Sequence, residues 1–214
     1  MSRTRIKICG LTREADVDAA VEAGADAIGF VLYDKSPRHL SPARAAELAR
    51  RLPPFVTPVG LFVNASADHL ARSLAALPNM LLQFHGDEKP AACDWLGRPY
   101  LRAARMLPGF DLLDFAQQFS KAQAILLDAH VEGYGGGGKV FDWSLIPKNV
   151  HSPVVLSGGL HAGNVLTGIL QVRPWAVDVI SGVEEAKGLK SAALIRQFCD
   201  AVRAADAQIA ELQT

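Results

Sequence analysis

An α/β barrel of eight strand–helix units, the (β/α)8 or TIM barrel, is the fold class this sequence predicts, and three observations predict it. Eight short runs rich in Val, Ile, Leu and Phe recur along the 214 residues. Most of them are apolar on both faces rather than alternating, the pattern of parallel strands covered on both sides. Their ends fall about 24 residues apart from Cys9 to Ile180, close to the least that a strand, a helix and two short loops require. A single domain over 1–214 follows, because repeated α/β folds of ~200–250 residues form one unit.

The strands are predicted in order at Arg5–Cys9, Ala27–Leu32, Val56–Val63, Met80–Phe84, Tyr100–Met106, Ala124–Leu127, Pro153–Leu156 and Ala176–Ile180. Helix signals lie between them. Thr12 caps a run through Ala23 that Gly24 stops, and Ser41-Pro42 opens one that ends before Pro53-Pro54. Ser66 precedes Leu70, Leu74 and Leu77 at helical spacing. Asp111–Phe119 and the region around Trp95 carry weaker signals; Asn164–Gln171 ends before Pro174, and Leu189–Leu212 closes the chain. A doubly wound open sheet is the alternative architecture. It has fewer strands and often a glycine-rich dinucleotide turn after the first, where this chain reads Cys9-Gly10-Leu11-Thr12.

Lys and Arg number 22 and are balanced by 22 Asp and Glu. Without clustered positive charge, partners such as nucleic acid or an anionic membrane are not expected. Half the residues are hydrophobic, which excludes disorder. Cys9, Cys93 and Cys199 are odd in number and widely spaced, so neither a disulfide framework nor a zinc site is written here. The opening Met1–Ile8 has no apolar core of a signal peptide, and the uncharged stretch Ser152–Val172 is broken by Pro153 and four glycines. A cytoplasmic protein is expected.

Barrel active sites form at the C-terminal ends of the strands, and that rule selects three features. The first is a phosphate cradle, Ser157-Gly158-Gly159 after strand seven and Ser181-Gly182-Val183 after strand eight. Glycines there let backbone N–H groups approach an anion, and Ser181–Ala186 has the makings of a short extra helix. Glu184 and Glu185 oppose a phosphate unless they turn outward. The second is a pair of acid–base candidates, Cys9 ending strand one and Asp128 ending strand six. Their ordinary readings are a small buried hydrophobe and a cap. The third is carboxylate recognition by Arg38 in Ser36-Pro37-Arg38, with Gln83 and His85 at the end of strand four. A solvated arginine and a structural histidine are the commoner fates of such residues. The glycine run Gly133–Lys139 reads as a mobile lid and does not fit a Walker A pattern, since Val140 follows Lys139.

Ordered along the chain stand Lys7-Ile8-Cys9-Gly10-Leu11-Thr12, Gly29-Phe30, Ser36-Pro37-Arg38, Gly60-Leu61-Phe62-Val63-Asn64, Gln83-Phe84-His85-Gly86, Leu127-Asp128, Gly138-Lys139-Val140-Phe141-Asp142-Trp143, Leu156-Ser157-Gly158-Gly159-Leu160 and Asp178-Val179-Ile180-Ser181-Gly182-Val183-Glu184. With these segments the sequence resembles the phosphoribosylanthranilate isomerase family of tryptophan biosynthesis. The resemblance implies an Amadori rearrangement with Cys9 as general base and Asp128 as general acid. It further implies that Arg38 holds the anthranilate carboxylate, that the Gly158-Gly159 and Ser181-Gly182 loops hold the phosphate, and that Asp178 positions the opened sugar. It departs from the family at Ile180, where a second serine is frequent, and in the length of the glycine run. The implied reaction has no redox step, so no cofactor and no metal are expected. A small phosphorylated substrate is the expected partner, and a monomer or homodimer the expected assembly.

Three other readings compete. The histidine-pathway isomerase is a sister barrel that uses Asp where this chain has Cys9. A metal-dependent pentose-phosphate epimerase would use Asp128 and His130 but needs further ligands that are not evident. A non-catalytic sugar-phosphate-binding barrel would keep the glycine loops and lose the acid–base pair.

Overall fold

The computed structural model describes residues 3–129 and 140–212. Eight strands form a closed barrel in sequence order, β1 (Arg5–Cys9), β2 (Ala27–Val31), β3 (Thr57–Phe62), β4 (Leu81–Phe84), β5 (Tyr100–Met106), β6 (Ala124–Ala129), β7 (Val154–Leu156) and β8 (Ala176–Val179). All neighbouring pairs are parallel, and β1 closes on β8 with Lys7 opposite Asp178. The predicted strands therefore match in number and order, with ends displaced by one or two residues.

Seven α-helices lie among the described residues: α1 (Glu14–Glu22), α2 (Pro42–Ala49), α3 (Ala67–Ala76), α4 (Pro90–Asp94), α5 (Leu112–Gln118), α6 (Val165–Val172) and α7 (Ala192–Glu211). Ser41 and Ser66 cap α2 and α3 by accepting the backbone N–H of Arg44 and His69, as the sequence predicts. Thr12 does not cap α1. Arg13 occupies that position without a side-chain capping bond, and the Thr12 hydroxyl instead donates to the Gly188 carbonyl at 3.0 Å. The connection from β6 to β7 ends in a 3-10 turn, Trp143–Leu145. The Gly133–Lys139 lid and His130 lie outside the described residues.

The expected helix over Ser181–Ala186 is a 3-10 turn, Ser181–Val183, that runs into a hairpin of β9 (Glu184–Ala186) and β10 (Leu189–Lys190). Two causes are visible. Glu184 is drawn inward by two cations, and Gly188, at φ +78°, makes the turn. The last helix consequently starts at Ala192, capped by Ser191, rather than at Leu189.

Register makes the two faces of each strand distinct. Val59, Leu101, Ala103, Ala124, Leu126, Val155 and Ala176 share the inner face and fill the barrel. The alternate residues, among them Ile8, Phe30, Phe62, Phe84 and Leu127, pack outward into one continuous cluster with Ile195, Phe198 and Val202 of α7. Phe84 lies edge-on to Tyr100 at 5.6 Å between ring centres.

Phe84→Ala removes a fully packed ring and is expected to cost roughly 3–5 kcal/mol in denaturant unfolding. Phe55, by contrast, is 100% exposed and sits at φ +71°. Asn tolerates that backbone better than Phe, so Phe55→Asn is expected to leave stability within about 0.5 kcal/mol or raise it.

Candidate active site

The alternation that fills the barrel also selects what reaches its C-terminal mouth. On β1 the inward residues are Lys7 and Cys9, on β4 Gln83 with His85 just beyond, on β6 Asp128, and on β8 Asp178, with Ser157 following β7. Cys9, Asp128, His85, Asp178, Arg38 and Ser157 are all buried. Gly29 stands opposite Cys9 on β2, and a Cβ there would collide with the Cys9 sulfur. That glycine makes the space the thiol occupies.

Around Cys9 the chain assembles charge from four directions. Lys7 on β1, Lys190 on β10, Arg38 after β2 and Asp178 on β8 all act on it. Burial pushes the Cys9 thiol up, and the cations of Lys7 and Lys190 oppose that rise without cancelling it. Burial pulls Lys7 down, but the Asp178 carboxylate and the Cys9 thiolate outweigh it, so this ammonium is held above its ordinary value. Lys7 Nζ lies 2.6 Å from Asp178 Oδ1, and Ser157 Oγ donates to Asp178 Oδ2 at 3.1 Å. Both oxygens of Asp178 are thus engaged by the protein.

On the far side of the mouth, Gln83 Nε2 lies 3.1 Å from His85 Nδ1, and His85 Nε2 lies 3.0 Å from Asp128 Oδ2. The Ala129 N–H donates to Asp128 Oδ1 at 2.9 Å. His85, expected to touch substrate, has both ring nitrogens taken by Gln83 and Asp128. The backbone that carries it is fixed from behind, since Arg102 donates to the Phe84 carbonyl at 2.9 Å and Glu88 accepts from the N–H groups of Gly86 and Asn64.

Arg38 sits at the mouth with its fork filled: Nε and Nη2 each lie 2.7 Å from Glu184. Lys190 Nζ reaches the same carboxylate at 2.9 Å and the Ile180 carbonyl at 2.7 Å. Burial raises the Glu184 carboxyl, yet Arg38 and Lys190 together bring it below its ordinary value. Of the two glutamates only Glu185 is exposed; Glu184 turns inward, against the sequence condition for an anion at this loop, and its charge is met by Arg38 and Lys190.

Gly158 and Gly159 have φ of +79° and +66°, which an L side chain resists. A Cβ on Gly158 would press on the backbone N of Ala129 and come within 3.0 Å of Asp128 Oδ1. A Cβ on Gly182 would collide with the Leu160 carbonyl. The two glycine loops are consequently packed backbone against backbone, one of them directly on the Asp128 carboxyl. Sequence reasoning missed Lys7, Lys190 and the inward role of Glu184. The signal for Lys7 was available: Arg5, Lys7 and Cys9 share one face of a strand whose other face is Ile6 and Ile8. Among the described residues no group of three or more His, Cys, Asp or Glu could hold a metal ion, and no helix is long and apolar enough to cross a membrane.

Comparison with known proteins places the chain in a family. Residues 6–201 match the family model for N-(5'phosphoribosyl)anthranilate (PRA) isomerase. The N-(5'-phosphoribosyl)anthranilate isomerases of Methylibium petroleiphilum and Leptothrix cholodnii are 74% and 72% identical, covering 97% of this chain and 98% and 94% of their own. The crystal structure of the phosphoribosyl anthranilate isomerase from Thermotoga maritima superposes with a TM-score of 0.87 at 39% identity, over 94% of this chain and 99% of that one. A further structure of the isomerase, in complex with reduced 1-(o-carboxyphenylamino)-1-deoxyribulose 5-phosphate, gives 0.84 at 37% identity over the same shares. The chain belongs to the N-(5'-phosphoribosyl)anthranilate isomerase family.

Proposed function

We propose that Cys9 and Asp128 are the base and acid of the family's Amadori rearrangement, which converts N-(5'-phosphoribosyl)anthranilate to 1-(2-carboxyphenylamino)-1-deoxyribulose 5-phosphate in tryptophan biosynthesis. Asp128 gives its proton to the furanose ring oxygen, the C1'–O bond breaks, and the nitrogen lone pair forms the C1'=N iminium. Cys9, as thiolate, removes the C2' proton. The released pair forms C1'=C2' and neutralises the iminium nitrogen, and the resulting enolamine tautomerises to the ketone. The iminium itself is the electron sink, so the step needs no external one.

What carries this reading is the arrangement at the mouth: a thiol on β1 among three cations, and a carboxyl on β6 held by two hydrogen-bond donors, both on the inner face of one barrel. Arg38 and Lys190 face the single carboxylate of Glu184, with Lys190 drawn below its ordinary value by burial. The guanidinium of Arg38 is the charge that a substrate carboxylate meets. The loops at Gly158-Gly159 and Ser181-Gly182 take the phosphate, and Asp178, engaged by Lys7 and Ser157, shapes the floor beneath the sugar. A family relative has been solved with reduced 1-(o-carboxyphenylamino)-1-deoxyribulose 5-phosphate, a ligand that carries the aryl carboxylate, opened sugar and phosphate these assignments call for. Its Thermotoga maritima relative has been solved as monomers of a dimeric enzyme, which keeps both assemblies open to this chain.

Cys9→Ala and Asp128→Asn are each expected to lower turnover by roughly 10²–10⁴-fold or more while keeping the circular dichroism of the parent. Near-normal turnover in either folded variant would falsify that residue's role. Arg38→Lys keeps the charge and loses the fork that Glu184 fills, and with it the fixed placing of that charge at the mouth. Its affinity for a reduced product analogue is expected to fall about tenfold, ~1.4 kcal/mol, with little change for the same analogue lacking the ring carboxylate; equal losses for both would move carboxylate recognition elsewhere. Because the Cys9 thiol is raised, its base form is scarce at neutral pH and grows as pH rises. Because Asp128 must keep its proton while Cys9 loses one, kcat/KM is expected to fall at low pH as the base is protonated and at high pH as the acid is spent, and Lys7→Met, by removing a cation that favours the thiolate, to lower the plateau and move the alkaline fall to higher pH. An unshifted profile would show that Lys7 does not act on the base.

A further inference from the structure

Gln83 is fully buried, and its carbonyl oxygen has no hydrogen-bond partner among the described residues. A buried amide that leaves its acceptor unpaired is uncommon, so something else fixes its orientation. Its amide nitrogen is the group turned to His85 Nδ1, and the opposite edge of the imidazole meets Asp128 Oδ2. An amide nitrogen only donates, so Nδ1 must be bare and the ring proton must sit on Nε2, where it donates to Asp128. Reversing the amide would put a proton on Nδ1 and leave Nε2 with none to offer the Asp128 carboxylate that forms when the acid gives up its proton.

We propose that Gln83 is a positioning residue for the acid: by donating to His85 Nδ1 it selects the Nε2–H tautomer, which holds the Asp128 carboxylate formed when the ring oxygen takes the proton. The inference rests on the acid role of Asp128. As negative charge develops on that carboxylate, the hydrogen bond from His85 becomes charge-assisted and strengthens, together with the one from the Ala129 N–H. An interaction that strengthens along the reaction raises kcat rather than substrate affinity. The order of the chain explains why a polar side chain is kept on the inner face of β4 between Leu81 and the mouth.

The test is long-range ¹H–¹⁵N correlation of the enzyme with ¹⁵N-labelled histidine, above the imidazole titration, with the His85 signals identified from a His85→Asn sample. In the parent, His85 is expected as the Nε2–H tautomer. Gln83→Glu presents an acceptor to Nδ1, so His85 is expected to carry a proton there, either as the Nδ1–H tautomer with kcat reduced roughly tenfold or more or, between two carboxylates, as the imidazolium that keeps its Nε2–H on Asp128, with KM little changed in both. Gln83→Met has similar size and no donor; mixed tautomers and an intermediate kcat are expected, and this variant carries the test if the buried glutamate prevents folding. An Nδ1–H tautomer in the parent, or parental kcat in folded Gln83→Met, overturns the inference. Failure of the underlying reading is separately visible, because it requires turnover in Asp128→Asn and leaves the tautomer result standing.

Discussion

The barrel closes where β1 meets β8, and the ion pair of Lys7 with Asp178 spans that seam. Two ionised groups at 5% and 1% side-chain exposure are an expensive way to join strands, since apolar residues of similar volume are often as stable or more so. Removing either partner alone would strand a charge in the interior. The seam therefore ties closure of the fold to the chemistry of its mouth: the lysine that meets Asp178 is two residues from Cys9 on the same strand face. Ser157 occupies the second oxygen of Asp178 and so connects β7 to the same pair. Three consecutive strands of the ring are held by one carboxylate.

Above this floor the mouth divides into two electrostatic halves. Cys9 is surrounded by Lys7, Lys190 and Arg38, with Asp178 and Glu184 as their counter-charges. Asp128 is met by the ring of His85 and by the Ala129 N–H, away from those cations. Burial alone would keep Cys9 a thiol; the cations are what make its deprotonated form reachable. The hairpin of β9 and β10 matters here because it delivers Glu184 and Lys190 together, and the antiparallel register places Lys190 opposite Glu184.

Much of this was legible in the sequence. Doubly apolar runs at near-constant spacing specify parallel strands, and the residues that end them specify the mouth, so Cys9, Asp128 and His85 could be picked out by position, whereas Asp178 came only from the resemblance. Glycines after strands seven and eight were equally visible, although their tight packing on Ala129 and Leu160 was not. What stayed hidden depends on contacts between distant segments. Glu184 read as an obstacle to an anion because its partner Arg38 lies 146 positions away. The short helix expected over Ser181–Ala186 had the right local composition, but a long-range ion pair and a left-handed glycine override propensity there. Thr12 had the right chemistry for a cap and found the Gly188 carbonyl instead.

All three cysteines are free and buried, and Cys9 is 0% exposed. Oxidants attack the accessible thiolate, and this thiol is neither exposed nor readily ionised at rest. The burial that keeps Cys9 protonated also keeps peroxide from its sulfur, so resistance to oxidation is built into the place this thiol occupies on β1.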